Sequence, residues 1–144
     1  MRPGIHISKI WSDDDVVELK IEVSDGASLF SNQVYVGHAE LADAASSLNA
    51  FKDDLYGGLL DVRFGEFGCE YANGAFHARF HYPSPGRLCV TCRQESDFEQ
   101  FSKKTVASKA TMYVISEPVL LDRFIAELQA FASGASEEAH LEAI

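Results

Sequence analysis

Around a Pro83-Ser84-Pro85-Gly86 turn, two runs of residues alternate without a break. Phe76, Ala78, Phe80 and Tyr82 lead into it with His77, Arg79 and His81 between them. Leu88, Val90 and Cys92 leave it with Cys89, Thr91 and Arg93 between them. A two-residue period puts every apolar member on one face of a strand, whereas a helix would scatter them around its circumference. The segment is therefore an antiparallel hairpin. Inward residues must oppose inward residues, because a slip of one would carry the whole apolar set to solvent. The expected pairs are Tyr82 with Leu88, Phe80 with Val90 and Ala78 with Cys92.

The same period governs the N-terminal third. Ile5–Trp11 alternates, Ser12-Asp13-Asp14-Asp15 turns the chain, and Val17, Leu19, Ile21 and Val23 alternate with Glu18, Lys20 and Glu22. Short polar side chains favour turns by bonding nearby backbone, so Ile5–Trp11 and Val16–Val23 read as a second hairpin. A third strand follows over Leu29–Val36, with Val34 and Val36 inward. The period then changes: Leu41, Ala44, Ala45, Leu48, Phe51 and Leu55 follow helical spacing from Ala39 to Leu55, until Gly57-Gly58. Leu60, Val62 and Phe64 restart the strand period, and Gly65–Gly74 is a turn-rich link. After a connection over Asp97–Lys104, a strand is expected from Thr105 to Ile115. Ser116 then reads as a helix N-cap with Pro118 in the first turn, where its missing N–H leaves no bond unmade. Leu120, Leu121, Phe124, Ile125, Leu128 and Phe131 form the apolar stripe of this helix, and Gly134 ends it.

The order is three strands, a helix, four strands and a helix. It predicts an α+β fold: a mostly antiparallel sheet of about six or seven strands with two helices packed on its apolar face. At 144 residues and 47% hydrophobic composition the chain holds one core. Residues 1–134 form that domain, and residues 135–144 are an acidic tail that either frays or docks weakly through Leu141 and Ile144. No stretch approaches the roughly 18 consecutive apolar residues of a membrane span, and the N-terminus has no apolar signal core. Three cysteines, Cys69, Cys89 and Cys92, suit a reducing compartment better than a disulfide framework, so a cytoplasmic location is expected.

Few residues suggest chemistry. No phosphate-binding loop, dinucleotide fingerprint, zinc-protease helix or nucleophile elbow is present, and no cofactor or metal is expected. Cys89 and Cys92 lie an odd number apart on a strand and so point to opposite faces, which favours core or surface thiols over a shared metal. His77 and His81 share the polar face about 13 Å apart by strand rise, too far to share a ligand. Gly65-Glu66-Phe67-Gly68 reads as a turn, and Asp13–Asp15 lacks the alternating oxygens of a calcium loop.

Charge is distributed unevenly. Residues 1–61 hold 11 acidic and 4 basic side chains, residues 62–116 hold 5 and 7, and residues 117–144 hold 6 and 1. A net charge of −10 argues against nucleic acid as a partner. The helix carries Glu40, Asp43, Asp53 and Asp54 against a single Lys52. In the basic middle, Arg63, His77, Arg79, His81 and Arg93 fall on the face opposite the Phe76, Phe80 and Val90 set. They either pair with carboxylates of this chain or form a docking surface.

The element order, the closing pattern Tyr113-Val-Ile-Ser-Glu-Pro118 into Leu121-x-x-Phe124-Ile-x-x-Leu128, and the acidic helix Glu40–Asp54 resemble small bacterial immunity-type proteins. These are encoded beside secreted polymorphic toxins and include the WapI-immunity-like family; the resemblance, of pattern and size, spans Ile5 to Phe131. It implies a non-catalytic cytoplasmic protein that binds a cognate toxin, often a nuclease. A nuclease presents a basic cleft, which carboxylates can fill. The candidate contacts are Glu40, Asp43, Asp53 and Asp54, with Asp13, Asp14 and Asp15 as a second cluster; a solvated helix face and turn would look the same. Two other classes stay open: a self-associating domain, monomer or homodimer, and a small enzyme built on His77, Arg79 and His81.

Overall fold

A computed structural model describes every residue except Met1 and Ala72, the latter inside the expected Gly65–Gly74 link. The residues around Pro83–Gly86 form β5 (Asn73–Ser84) and β6 (Arg87–Asp97), which pair antiparallel with Phe80 opposite Val90 and Ala78 opposite Cys92. The Tyr82–Leu88 pairing does not extend the register, because the ladder shifts by one residue between His81 and Ser84. Pro83 cannot donate to the ladder, and a bulge beside the turn absorbs it. Both Tyr82 and Leu88 still point inward and are buried.

The N-terminal alternation forms β1 (Gly4–Ser12), β2 (Val16–Ser24) and β3 (Leu29–Gly37), followed by α1 (His38–Phe51) and β4 (Leu59–Gly65). After β6 come β7 (Glu99–Phe101), β8 (Lys104–Val106), β9 (Lys109–Ser116), α2 (Pro118–Ala132) and β10 (Glu138–Glu142). The fold is α+β with antiparallel pairing throughout, but its strands are divided between two main sheets. One has the order β10-β1-β2-β3 and the other β4-β5-β6-β9. The division gives a repeated layout that the sequence does not display. Each helix leaves the last strand of one sheet and delivers the chain to the first strand of the other.

Both sheets turn their period-two apolar faces to a single core shared with both helices. Phe51 of α1 stacks on Tyr82 at 4.9 Å and meets Phe80 edge-on at 6.2 Å, which seats the helix on the inner face of β5. Leu121, Phe124, Ile125, Leu128 and Phe131 bury the stripe of α2, which packs on α1 and β10. Where β3 crosses β5 and β6, two buried amides join the sheets. Gln94 Nε2 donates to Ile21 O at 3.1 Å and to Asn32 Oδ1 at 2.7 Å, and Asn32 Nδ2 donates to Ala75 O and Glu95 O, each at 3.2 Å. Gly74 permits this crossing: its φ is +82°, and a Cβ there would lie 2.1 Å from Gln33 O.

Of the two readings of residues 135–144, docking holds over fraying, through Leu141 but not Ile144: β10 pairs along β1, with Ala139 and Leu141 in the core and Ile144 exposed. Only two inward residues in five carry its alternation, too few to stand out by period. Ser116 does not cap α2, since its hydroxyl donates to Glu142 O at 2.6 Å and so fastens β10; Glu117 holds the N-cap position and Pro118 is the first helical residue. The strand expected from Thr105 to Ile115 is broken. Its first part joins β7 in a separate two-stranded arm, residues 99–109 of which are all exposed, so no inward face marked the boundary.

Candidate functional site

The seven carboxylates predicted as contacts fall into two groups along α1. Asp13 Oδ1 accepts the backbone N–H of Asp15 at 2.8 Å and of Val16 at 2.9 Å, closing the β1–β2 turn. Those two bonds hold its carboxyl below the ordinary range. Asp25 closes the next turn in the same way, so Asp13 is committed to its turn. His38 at the start of α1 ties this turn down, its Nε2 lying 2.7 Å from Asp13 O. Asp14 and Asp15 are thereby brought beside the helix N-terminus, where Glu40 accepts the Gly37 N–H at 3.3 Å. Asp43 lies one turn further on. Asp53 and Asp54 follow the C-terminus of the 14-residue helix, about 20 Å away by helical rise, and do not join the first group. Among the described residues, none of the seven lies within 4.0 Å of a cationic side chain.

The basic residues behave differently. Register places them in rows across the outer face of the second sheet: Leu59, His81, Cys89 and Ile115; Asp61, Arg79, Thr91 and Tyr113; Arg63, His77, Arg93 and Thr111. Asp61, absent from the sequence candidates, is the hub of this face. Its Oδ1 accepts from His77 Nε2 at 2.8 Å and Arg79 Nε at 2.9 Å, its Oδ2 accepts from Arg79 Nη2 at 3.2 Å, and Arg63 stands 3.9 Å away. The Arg79 hydrogen bond, helped by His77, holds the Asp61 carboxyl far below its usual range against the opposing effect of burial. The signal was present in Leu60-Asp61-Val62-Arg63-Phe64, where Asp61 alternates outward; only the β4–β5 register identifies Arg79 as its partner. Among the described residues, Arg93 has no carboxylate within 4.0 Å. His77 is buried under its neighbours, and His81 is half-buried opposite Cys89.

The cysteines take the faces that parity requires. Cys92 is in the core, where burial pushes its thiol up to about 12, and Cys89 lies half-buried on the outer face. No group of three or more His, Cys, Asp or Glu side chains is placed to hold a metal ion among the described residues. One further feature escaped the sequence. Between β3 and the base of the β7–β8 arm is an open cavity of about 360 Å³, lined by Ser31, Gln33, Ser96, Asp97, Glu99 and Ser108 among others. Asp97 Oδ1 is buried without a hydrogen-bond partner among the described residues, and burial raises its carboxyl, with Glu18 and Glu99 adding to the effect. Among the described residues, no helix is long and apolar enough to cross a membrane. Comparison with protein-family models, with curated proteins and with solved structures finds no match to this chain.

Proposed function

We propose that this chain is a non-catalytic protein-binding domain, an immunity-type inhibitor that acts in the cytoplasm and neutralises a cognate toxin with a basic surface. One observation carries the reading: Glu40 and Asp43 on α1, Asp14 and Asp15 in the turn beside its N-terminus and Asp53 and Asp54 beyond its C-terminus are all exposed, and among the described residues no cation of the chain pairs with them. Clustered like charges on a helix are mildly unfavourable in the free protein. A cationic cleft about as long as α1 would reverse their sign of interaction and speed the encounter.

The test is a binding assay between the protein and a toxin domain encoded beside its gene. Reversing Asp43, Asp53 and Asp54 together to Lys should slow association severalfold and flatten its dependence on salt. A gene neighbourhood without a toxin-like reading frame, or a complex indifferent to the triple reversal, overturns the proposal.

A further inference from the structure

We propose that the outer face of β4, β5, β6 and β9 is a second docking site, for a short extended segment of a partner protein with the pattern apolar–x–acidic–x–acidic. Among the described residues both helices bury their apolar stripes on the inner side of this sheet, α1 flanking its β4 edge where Glu40 and Asp43 line a cavity with Asp61 and Arg63, and the rows of the outer face are graded. Leu59 and Ile115, 54% and 37% exposed, mark the apolar first row, with Tyr113 at 70% beside it in the second. The second row presents Arg79, fixed by Asp61 through two nitrogens, so its remaining N–H groups face outward in a set orientation. The third row presents Arg63 and Arg93, on either side of His77.

Spacing selects the occupant. Successive rows lie about 6.8 Å apart along the strands, which is also the distance between same-side residues i and i+2 of an extended peptide. An apolar side chain over the first row therefore places carboxylates at i+2 and i+4 over Arg79 and over the Arg63–Arg93 pair. The four strands span about 14 Å, a patch far smaller than the roughly 800 Å² per partner of a stable domain interface, so a peptide-sized ligand fits it better than a folded one. A second copy of this chain joined face to face would set arginines against arginines. The chain's net charge of −10 opposes a phosphate backbone extending beyond the patch.

The experiment is an NMR titration of the ¹⁵N-labelled protein with the peptide acetyl-Leu-Thr-Glu-Thr-Glu-amide. Weak, saturable shifts are expected on the amides of Arg79, Thr91, Arg93 and Thr111. Arg93→Gln should weaken binding about tenfold, as should replacing both peptide glutamates by Gln. Arg63→Gln, on an edge strand, gives the same reading if Arg93→Gln disturbs the sheet. Tighter binding of a six-nucleotide oligothymidylate, shifts confined to other faces, or no shift at about 5 mM peptide overturns the proposal. Asp43 lines the same cavity as Arg63, so the control reverses only Asp53 and Asp54 to Lys, which should leave this titration unchanged.

Discussion

Replacing Gln94 with leucine should loosen the junction between the two sheets without emptying it. The side chain is 1% exposed and lies where β6 crosses β2 and β3. Leucine nearly preserves the volume, so the effect isolates the lost amide. Ile21 O and Asn32 Oδ1 each lose a donor, at 3.1 and 2.7 Å, inside the core. Asn32 Oδ1 is left orphaned, at about 1–3 kcal/mol, while Ile21 O, in a strand paired on both sides, loses only its second donor; the gain from burying a more apolar side chain offsets part of this, leaving about 1–3 kcal/mol. That is a sizeable share of the roughly 5–15 kcal/mol that holds a domain together, and it corresponds to a fall in Tm of about 3–10 °C. Urea and thermal unfolding followed by circular dichroism would measure it. Asn32→Leu should cost a similar amount, because Ala75 O and Glu95 O lose their Nδ2 donor. The double variant should be less destabilised than the two added together by about 1–2 kcal/mol, since Asn32 Oδ1 is no longer left orphaned. Singles within about 0.5 kcal/mol of wild type, or strict additivity, would refute the bridge as a structural element.

Two aspartates should shape the acid limb of stability in opposite directions. Asp61 has a folded pKa below its ordinary 3.8, so its contribution is present above that value and disappears as pH falls through the folded one; Asp61→Asn should lower stability at neutral pH and flatten the acid limb. Asp97 has a folded pKa above 3.8, so the folded state takes up its proton first and gains stability as pH falls through that range; Asp97→Asn should match or exceed wild type at neutral pH and lose this gain, in urea unfolding from pH 7 to 4. Leu141→Ala should cost about 2–5 kcal/mol by thermal unfolding, because the side chain is 0% exposed; a change near zero would return residues 135–144 to the status of a loose tail.

Legibility in the sequence followed the length of each alternating run. The strands β2, β5 and β6 bury three or more residues at period two, and each was readable together with its inward face. β10 buries only Ala139 and Leu141, and the β7–β8 arm buries nothing, so neither had a period to read. Nor could the division into two sheets be seen. It depends on which edge strands remain unpaired and on Asn32 and Gln94, two polar residues at inward positions whose partners lie 62 residues apart in the chain. Taken alone, each looks like a break in the apolar pattern. At the candidate sites, face assignment came from parity and was readable for Arg63, His77, Arg79, His81 and Arg93, whereas the ion pairing that distinguishes Arg79 from Arg93 came only with the β4–β5 register.

That distinction gives the charge layout its functional content. Charge already balanced within the chain does little to select a partner, and Asp61 offsets much of the charge of Arg79 on the basic face while also engaging His77. What remains there is Arg93, Arg63 at the edge of pairing range, and a fixed guanidinium edge: a small, oriented patch suited to carboxylates at set spacings. Along α1 and at its two ends the exposed carboxylates have no cationic side chain within 4.0 Å among the described residues, and Lys52 at the C-cap is the one Lys or Arg of the helix and its flanking turns. They are spread over about 20 Å, with Glu40 alone held by a backbone N–H among the described residues, which suits long-range attraction more than geometric selection. The two surfaces should therefore differ in their response to salt. Binding through α1 should weaken steeply as salt rises through the physiological range, while peptide binding on the sheet face, anchored in part by Leu59, Ile115 and Tyr113, should weaken less.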